Sequence, residues 1–315
     1  MIATIFKSHQ RVFDCYLHET KELVSATAKG NLLKRGETLV VGDEVRLSEI
    51  AGEWSIEELM PRRSTIWRQI QRENKRKVTA ANIDILVVLM SAEKPKYKRG
   101  FVDRFLMRAA QWEIPAILVF NKMDLFKNKF DLKFESLRLL ELGVECFEVS
   151  AHNENYEVQF LTKGIKDLDE YLEGKNSIFL GQSGVGKSTL ISALSGGKVD
   201  LKTQEIGKAG KGTHTTTWSE MIDVGNFRMI DSPGIRSFSV EDIHEEEFED
   251  LFPDLQKLFI HCEFRNCDHL PESKGCKIHS LEEGDEKERV LSRLESFHRL
   301  KDEVTALPDW KKNTP

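Results

Sequence analysis

Cysteine is scarce in this 315-residue chain: there are five, and three of them crowd into Cys262–Cys276. So few cannot form a disulfide scaffold, and their clustering points to metal instead. Long hydrophobic runs are also missing. The longest, Ile85–Met90 and Ala116–Phe120, have six and five residues, against the ~20 a membrane-spanning helix needs. The opening MIATIFKSHQR has no apolar stretch and no small-residue cleavage site of the secretory kind. No internal repeat and no low-complexity segment is present. These absences exclude a secreted, membrane-embedded or disordered chain and lead us to expect a cytoplasmic one.

Charge of one sign is not in large excess, at a net −6, but it is unevenly spread. Between Pro61 and Ala80 lie seven basic residues (Arg62, Arg63, Arg68, Arg72, Lys75, Arg76, Lys77) and one acid, Glu73. Between Ser239 and Asp254 there are eight acids and no Lys or Arg. Nucleic-acid binding depends on local patches, so the basic stretch keeps that possibility open despite the acidic total.

With 40% hydrophobic and 31% charged residues, the chain has material for two or three domains. Residues 1 to about 70 read as short strands, among them Thr4–Phe6, Val12–Leu17 and Leu39–Leu47, broken by turns at Lys29-Gly-Asn31, Arg35-Gly36 and Gly42-Asp43. A compact barrel of about five strands is expected, OB-like barrels being one form. From Ala81 strands alternate with helices: strands at Ile83–Met90, Ile114–Phe120, Val144–Val149, Ser177–Leu180, Met221–Val224 and Arg228–Ile230. Helices are expected near Phe101–Trp112, Leu132–Leu142, Val158–Leu168 and Lys187–Leu194. That rhythm predicts a parallel, doubly wound sheet. After Ser239 come an acidic helical stretch, the cysteine cluster and a charged helix from about Gly284 to Val304.

Gly181-Gln182-Ser183-Gly184-Val185-Gly186-Lys187-Ser188 fits G-x-x-x-x-G-K-[ST] between a strand and a helix. Its glycines let backbone N–H groups wrap a phosphate, Lys187 reaches the β- and γ-phosphates, and Ser188 can ligate Mg²⁺. Two segments match N-K-x-D, a motif whose final Asp accepts two hydrogen bonds from guanine that adenine cannot donate. Asn121-Lys122-Met123-Asp124 follows a strand, at the sheet edge where such folds bind ligands. Asn128-Lys-Phe-Asp131 has no strand before it and reads as a helix start. Guanine recognition is therefore assigned to Asn121, Lys122 and Asp124, with Met123 between them counted among the nucleotide-binding residues. Val149-Ser150-Ala151 can back the base with a main-chain N–H.

Asp231-Ser-Pro-Gly234 is the chain's D-x-x-G, with Asp231 suited to hold Mg²⁺ through water and the Gly234 amide to meet the γ-phosphate. The run Gly210-Lys-Gly-Thr-His214-Thr215-Thr216-Thr217 lies where a switch loop supplies a Mg²⁺-binding threonine. Thr215 and Thr216 are the candidates. Ile235 follows Gly234, where many GTPases carry a water-positioning Gln. Intrinsic turnover should be slow, with His214 or a partner supplying the complement. A conventional GTPase runs P-loop, switch threonine, D-x-x-G, N-K-x-D, S-A. This chain runs N-K-x-D, S-A, P-loop, threonine loop, D-x-x-G: a circular permutation, which tethers everything after Gly234 to the second switch.

Cys262-x₄-Cys267-x-His269-x₆-Cys276 is a Cys₃His set. Three thiolates and an imidazole suit tetrahedral Zn²⁺ in a closed, structural site. His261 and His279 are alternatives to His269. Cys15 and Cys146 lie in apolar strand patterns and read as core.

Together these features resemble the ribosome-small-subunit-dependent GTPase A family, bacterial factors for late maturation of the 30S subunit. The resemblance spans roughly residues 1 to 300 and includes Gly42-Asp-Glu-Val45 and Ala80-Ala-Asn-Ile-Asp84. The gap from His269 to Cys276 is one residue longer than the family's usual spacing. The resemblance implies an OB-fold N-domain, 16S rRNA contacts, and hydrolysis of GTP to GDP stimulated by the 30S subunit. The expected architecture is multidomain: an all-β OB-like barrel (1–70), a circularly permuted α/β doubly wound P-loop GTPase domain (71–240) and a helical zinc-binding domain (241–315). A monomer with no membrane partner is expected. The rivals are a small-molecule kinase with a structural zinc, disfavoured by Asn121–Asp124, and a GTP-dependent RNA-binding switch without catalysis.

Overall fold

The computed structural model describes residues 1–9, 11–30, 38–70, 75–199, 201, 219–231, 240 and 243–306. Alternating apolar and polar residues build the first five strands, β1 (Ile2–His9), β2 (Val12–Leu17), β3 (Leu23–Ala28), β4 (Glu44–Ile50) and β5 (Glu53–Leu59). They pair in the cyclic order β1-β2-β3-β5-β4-β1, with β3 and β5 parallel. Closure leaves the barrel no unpaired edge. Ile5, Phe13, Cys15, Leu17, Val45, Leu47 and Ile56 fill its interior.

The barrel is built into the rest of the molecule. A bulge between Ile5 and Lys7 bends β1, so that Ile2–Thr4 pair with β4 while Lys7 pairs with Glu220 on β12 (Glu220–Asp223). Gly42 sits at φ +91°, and a Cβ there would lie 2.0 Å from the Ala81 carbonyl oxygen, so only glycine fits. Asn82 Nδ2 donates to the Gly42 carbonyl (2.8 Å), and Arg62 grips the buried Asp43 carboxylate at 2.7 and 2.9 Å. Gly42–Val45 and Ala80–Asp84 thus meet as the joint between barrel and sheet.

The basic stretch forms a hairpin of β6 (Thr65–Ile70) and β7 (Lys75–Ala81). Downstream, β8 (Ile85–Ser91), β9 (Ala116–Asn121), β10 (Glu145–Glu148), β11 (Asn176–Gly181) and β13 (Arg228–Asp231) pair in the order β10-β9-β8-β11-β13, all parallel. Leu86, Val88 and Met90 face one core, and Ile85, Val87 and Leu89 the other, so β8 is buried on both faces. Among the described residues the helices between these strands include α1 (Arg99–Trp112), α2 (Leu132–Glu141), α3 (Ile165–Leu172) and α4 (Lys187–Leu194).

Two expectations need correction. The sheet is not wholly parallel: a tight turn at Val224–Phe227 returns the chain directly, so β12 runs antiparallel to β13. Residues 158–163 are not helical either; α3 starts at Ile165, where Asp167 accepts from the Gly164 N–H at 2.7 Å.

The C-terminal module has two 3₁₀ turns (Glu245–Glu247, Glu249–Leu251) and the helices α5 (Pro253–Phe259) and α6 (Asp285–Thr305). It shares a core with Met107 of α1. Among the described residues no helix is long and apolar enough to cross a membrane. The module docks through a buried ionic knot. Asp103 on α1 accepts from Arg138 of α2 (2.8 Å) and from Arg293 (2.9 Å) and Ser296 (2.6 Å) of α6. Burial opposes ionisation of Asp103, but Arg293 and Arg138 hold its carboxyl below the usual carboxylate value.

Asp103→Ala should therefore cost about 3 kcal/mol, because it removes the buried carboxylate that two guanidiniums share and leaves each with one remaining carboxylate, Arg138 with Glu135 and Arg293 with Asp254. The knot's contribution is present above the ordinary carboxylate value, about pH 4, and is lost as the pH falls through the lowered native value. Denaturant unfolding of variant and parent from pH 7 to pH 3 checks both, with the gap between them narrowing at the acid end.

Candidate functional site

The glycine-rich loop joins β11 to α4 at the C-terminal edge of the parallel sheet. Gly184 and Gly186 have φ of +80° and +98°. A Cβ on Gly181 would lie 2.4 Å from the Leu89 carbonyl oxygen, and one on Gly186 2.4 Å from Asn121 Nδ2. Gly186 and the N-K-x-D motif are thus pressed together with no room for a Cβ between them. Gln182 is half-buried, Ser183 exposed and Val185 buried beneath the loop. Lys187 and Ser188 open α4.

Asn121, buried at the end of β9, holds three loops at once. Its Nδ2 donates to the Val185 carbonyl (2.9 Å), while its Oδ1 accepts from the N–H groups of Lys122 (2.8 Å) and Ala151 (3.1 Å). Lys122 adds a second strap, its Nζ donating to the carbonyls of Gly184 (2.5 Å) and Lys94 (2.6 Å). Met123 is buried and donates its N–H to the Val149 carbonyl (3.2 Å). Asp124 is exposed in a 3₁₀ turn and accepts from Ser150 Oγ. Lys187 Nζ lies 3.3 Å from Asp231 Oδ1. The loop's lysine and the D-x-x-G aspartate therefore flank one spot at the N-terminus of α4, suited to a metal-bound phosphate.

The second N-K-x-D segment does other work. Asp131 caps α2, accepting from Phe134 N (2.9 Å); Lys129 pairs with Glu93 (3.2 Å); Phe130 stacks on Tyr97. His214, Thr215, Thr216, Gly234 and Ile235 lie outside the described residues.

A family profile described as RsgA GTPase matches residues 59–241. The small ribosomal subunit biogenesis GTPase RsgA of Bacteroides fragilis strain YCH46 is 35% identical over 82% of this chain and 83% of its own. The protein of that name from Flavobacterium johnsoniae is 34% identical over 95% and 92%. This chain belongs to the RsgA GTPase family. Like that family, it is a GTP-hydrolysing enzyme, using GTP, GDP and Mg²⁺. Two solved structures share its fold. YjeQ from Thermotoga maritima superposes with a TM-score of 0.69 at 24% identity, over 98% of this chain and 99% of that one. YloQ, described as a circularly permuted GTPase, gives 0.72 at 21%, over 96% and 94%.

In this RsgA GTPase the Cys₃His residues also converge. The ligand atoms of Cys262, Cys267, His269 and Cys276 all lie within 4.8 Å of one another. His269 Nδ1 is 3.6 Å from Cys262 Sγ and 3.8 Å from Cys276 Sγ. Tetrahedral zinc with ordinary bond lengths sets S···N at about 3.6 Å, so the cluster fits the ion despite its longer spacing. The His269 ring is stacked on Phe259 at 3.7 Å. His279 Nε2 donates to the His269 carbonyl oxygen (3.0 Å), and His261 is not among the converging groups.

Purified protein should carry about one Zn²⁺ per chain, and Cys276→Ser should lower that and the thermal stability of the C-terminal module. Elemental analysis with and without a chelator reads this directly; a zinc-free, fully folded parent would refute the site.

Proposed function

We propose that this enzyme couples GTP hydrolysis to late maturation of the small (30S) ribosomal subunit, stimulated by that subunit through contacts to 16S rRNA. The relatives' shared name supports the subunit. The observation that carries the nucleotide side is the Asn121 bridge, which sets the P-loop beside Asp124 and Ser150. In this reading the backbone of Gly181–Gly186 and Lys187 hold the phosphates, and Ser188 and Asp231 hold Mg²⁺. Asp124 accepts from two guanine donors, and Ala151 and Ser150 back the base. Thr215 or Thr216 and the Gly234 amide complete the γ-phosphate end, and His214 contributes to catalysis. Held there, Mg²⁺ would offset charge on the transferring phosphoryl group, together with Lys187. The protein acts as a cytoplasmic monomer of three units, the barrel, the GTPase domain and the C-terminal module, the last stapled by zinc.

The RNA-facing charge is narrower than the run of seven basic residues. Arg62 is tied to Asp43 and the Thr38 carbonyl, and Arg63 to Asp84 at 2.5 Å. Both stabilise the joint. Arg68, Arg76 and Lys77 are exposed on the β6–β7 hairpin, with Arg68 opposite Lys77 and Arg76 4.1 Å over the Trp67 ring. Trp112 Nε1 fixes this hairpin to α1 by donating to the Trp67 carbonyl at 3.2 Å. Phosphate groups of a folded RNA fit such a ribbon.

Asp124→Asn should weaken GDP binding by about a hundredfold or more, since a site built for two donors loses its acceptor. Asp131→Asn should leave binding unchanged, because Asn caps a helix as well as Asp does. Equal losses in GDP titration would reverse the motif assignment.

Hydrolysis should rise on the order of tenfold or more with purified 30S particles, and not with 50S, as the subunit selects the hydrolysis-competent state. Reversing Arg68, Arg76 and Lys77 to Glu should cut that stimulation and flatten its salt dependence by about one logarithmic unit for each phosphate no longer neutralised. GDP affinity should be unaffected. Absent stimulation of the parent would refute the assembly role; undiminished stimulation of the triple variant would remove the hairpin from the ribosomal interface.

A further inference from the structure

Glu148 is the last residue of β10, immediately before Val149-Ser150-Ala151, and its side chain is fully buried. A carboxylate in such a place is costly unless donors occupy its oxygens. Four donors do so. Tyr156 Oη (2.5 Å) and the Gln159 N–H (3.0 Å) donate to Oε1; the N–H groups of Phe160 (2.9 Å) and Leu161 (2.6 Å) donate to Oε2. The backbone of Glu148 also donates to the Lys163 carbonyl at 2.8 Å.

Residues 152–164 contain no helix or strand, so this carboxylate is the centre around which the segment folds. Burial, and then the bond to Glu148, push the Tyr156 phenol well above its ordinary value, which keeps it a donor. The folded segment sets Phe160 edge-on against Phe126 at 5.2 Å. Phe126 follows the 3₁₀ turn that carries Asp124, and its N–H donates to the Met123 carbonyl. Asp124 in turn takes its hydrogen bond from Ser150, two residues after Glu148. The two loops on the base side are therefore tied at both ends, once through Ser150 and once through the Phe126–Phe160 contact.

We propose that Glu148 is a positioning residue for guanine recognition: by gathering Tyr156 and three backbone N–H groups it holds the loops carrying Ser150 and Asp124 in their base-reading geometry before nucleotide arrives. This rests on the reading of Asp124 as the guanine acceptor. Gln is nearly the size of Glu, but its NH₂ group faces donors it cannot accept. In a Glu148→Gln protein the segment 152–164 loses its anchor and Asp124 its fixed position. Ordering these loops must then be repeated with every binding event.

The test uses the full chain. Glu148→Gln should weaken GDP binding about tenfold, while single-turnover hydrolysis at saturating GTP stays within about twofold, since the phosphate end is untouched. Inosine diphosphate lacks the exocyclic amine that Asp124 accepts from, so the preference for GDP over it should shrink in the variant. Tyr156→Phe removes one donor of four and should weaken GDP binding about twofold to threefold in the same direction. Parental GDP affinity and base preference in folded Glu148→Gln would overturn the proposal, as would affinity and hydrolysis rate falling together. Where Glu148→Gln does not fold, Tyr156→Phe decides, and parental GDP affinity in it overturns the proposal. Parental affinity in Asp124→Asn would instead refute the guanine assignment itself, which separates the two failures.

Discussion

One buried side-chain amide holds the nucleotide site together. Asn121 donates to the P-loop at Val185 and accepts from the loops that follow β9 and β10. All three loops leave the same edge of a parallel sheet, so a single short side chain can reach them. The bridge depends on where strand ends lie in space and is indifferent to the order in which the chain visits them. A permuted chain can therefore keep the site, because β9 still ends next to β8 and β8 next to β11. Gly186 is the price of that closeness, since any Cβ there would strike Asn121.

The barrel belongs to the same mechanical unit. β1 pairs with β4 of the barrel and with β12 of the GTPase sheet, and Lys7 forms an ion pair with Glu220 across that seam at 3.2 Å. Next to it the Arg228 guanidinium lies 5.4 and 5.0 Å from the stacked rings of Phe6 and Tyr16. Arg228 opens β13, the strand that ends in Asp231, so the barrel packs against the strand leading to the D-x-x-G motif. Away from that seam, the module that carries the Cys₃His cluster is more than a tail behind the second switch. Its long helix α6 is pinned to α1 and α2 by Asp103, Arg138 and Arg293, against a shared apolar core. The GTPase domain is thus gripped from both flanks by elements that belong to other parts of the chain.

Much of the fold was legible because its signals are local. The apolar run Ile85–Met90 is a strand buried on both faces, and the alternation at Phe13, Cys15 and Leu17 is a barrel strand with one face inward. Where local pattern misled, a tertiary contact had overruled it. Val158 and Leu161 stand at helical spacing, yet Glu148 captures the N–H groups of the residues between Tyr156 and Gly164 and holds them out of a helix. The basic run looked uniform, but Arg62 is consumed by Asp43 while Arg76 stays exposed on Trp67.

The sequence by itself determined the family and named the candidate chemistry. A P-loop, an N-K-x-D directly after an apolar strand, a D-x-x-G and a Cys₃His set are defined by residue type and short spacing, so they can be read before the fold that assembles them is known. The choice between the two N-K-x-D segments was also local, because only one follows a strand. Tertiary structure alone decided the parallel closure of β3 on β5, the sharing of β1 between two sheets, and the docking of α6 on Asp103. It also decided the surroundings of Glu148, three of whose four donors are backbone N–H groups. Every residue but proline carries such a group, so no side-chain pattern can announce which of them will turn toward one carboxylate.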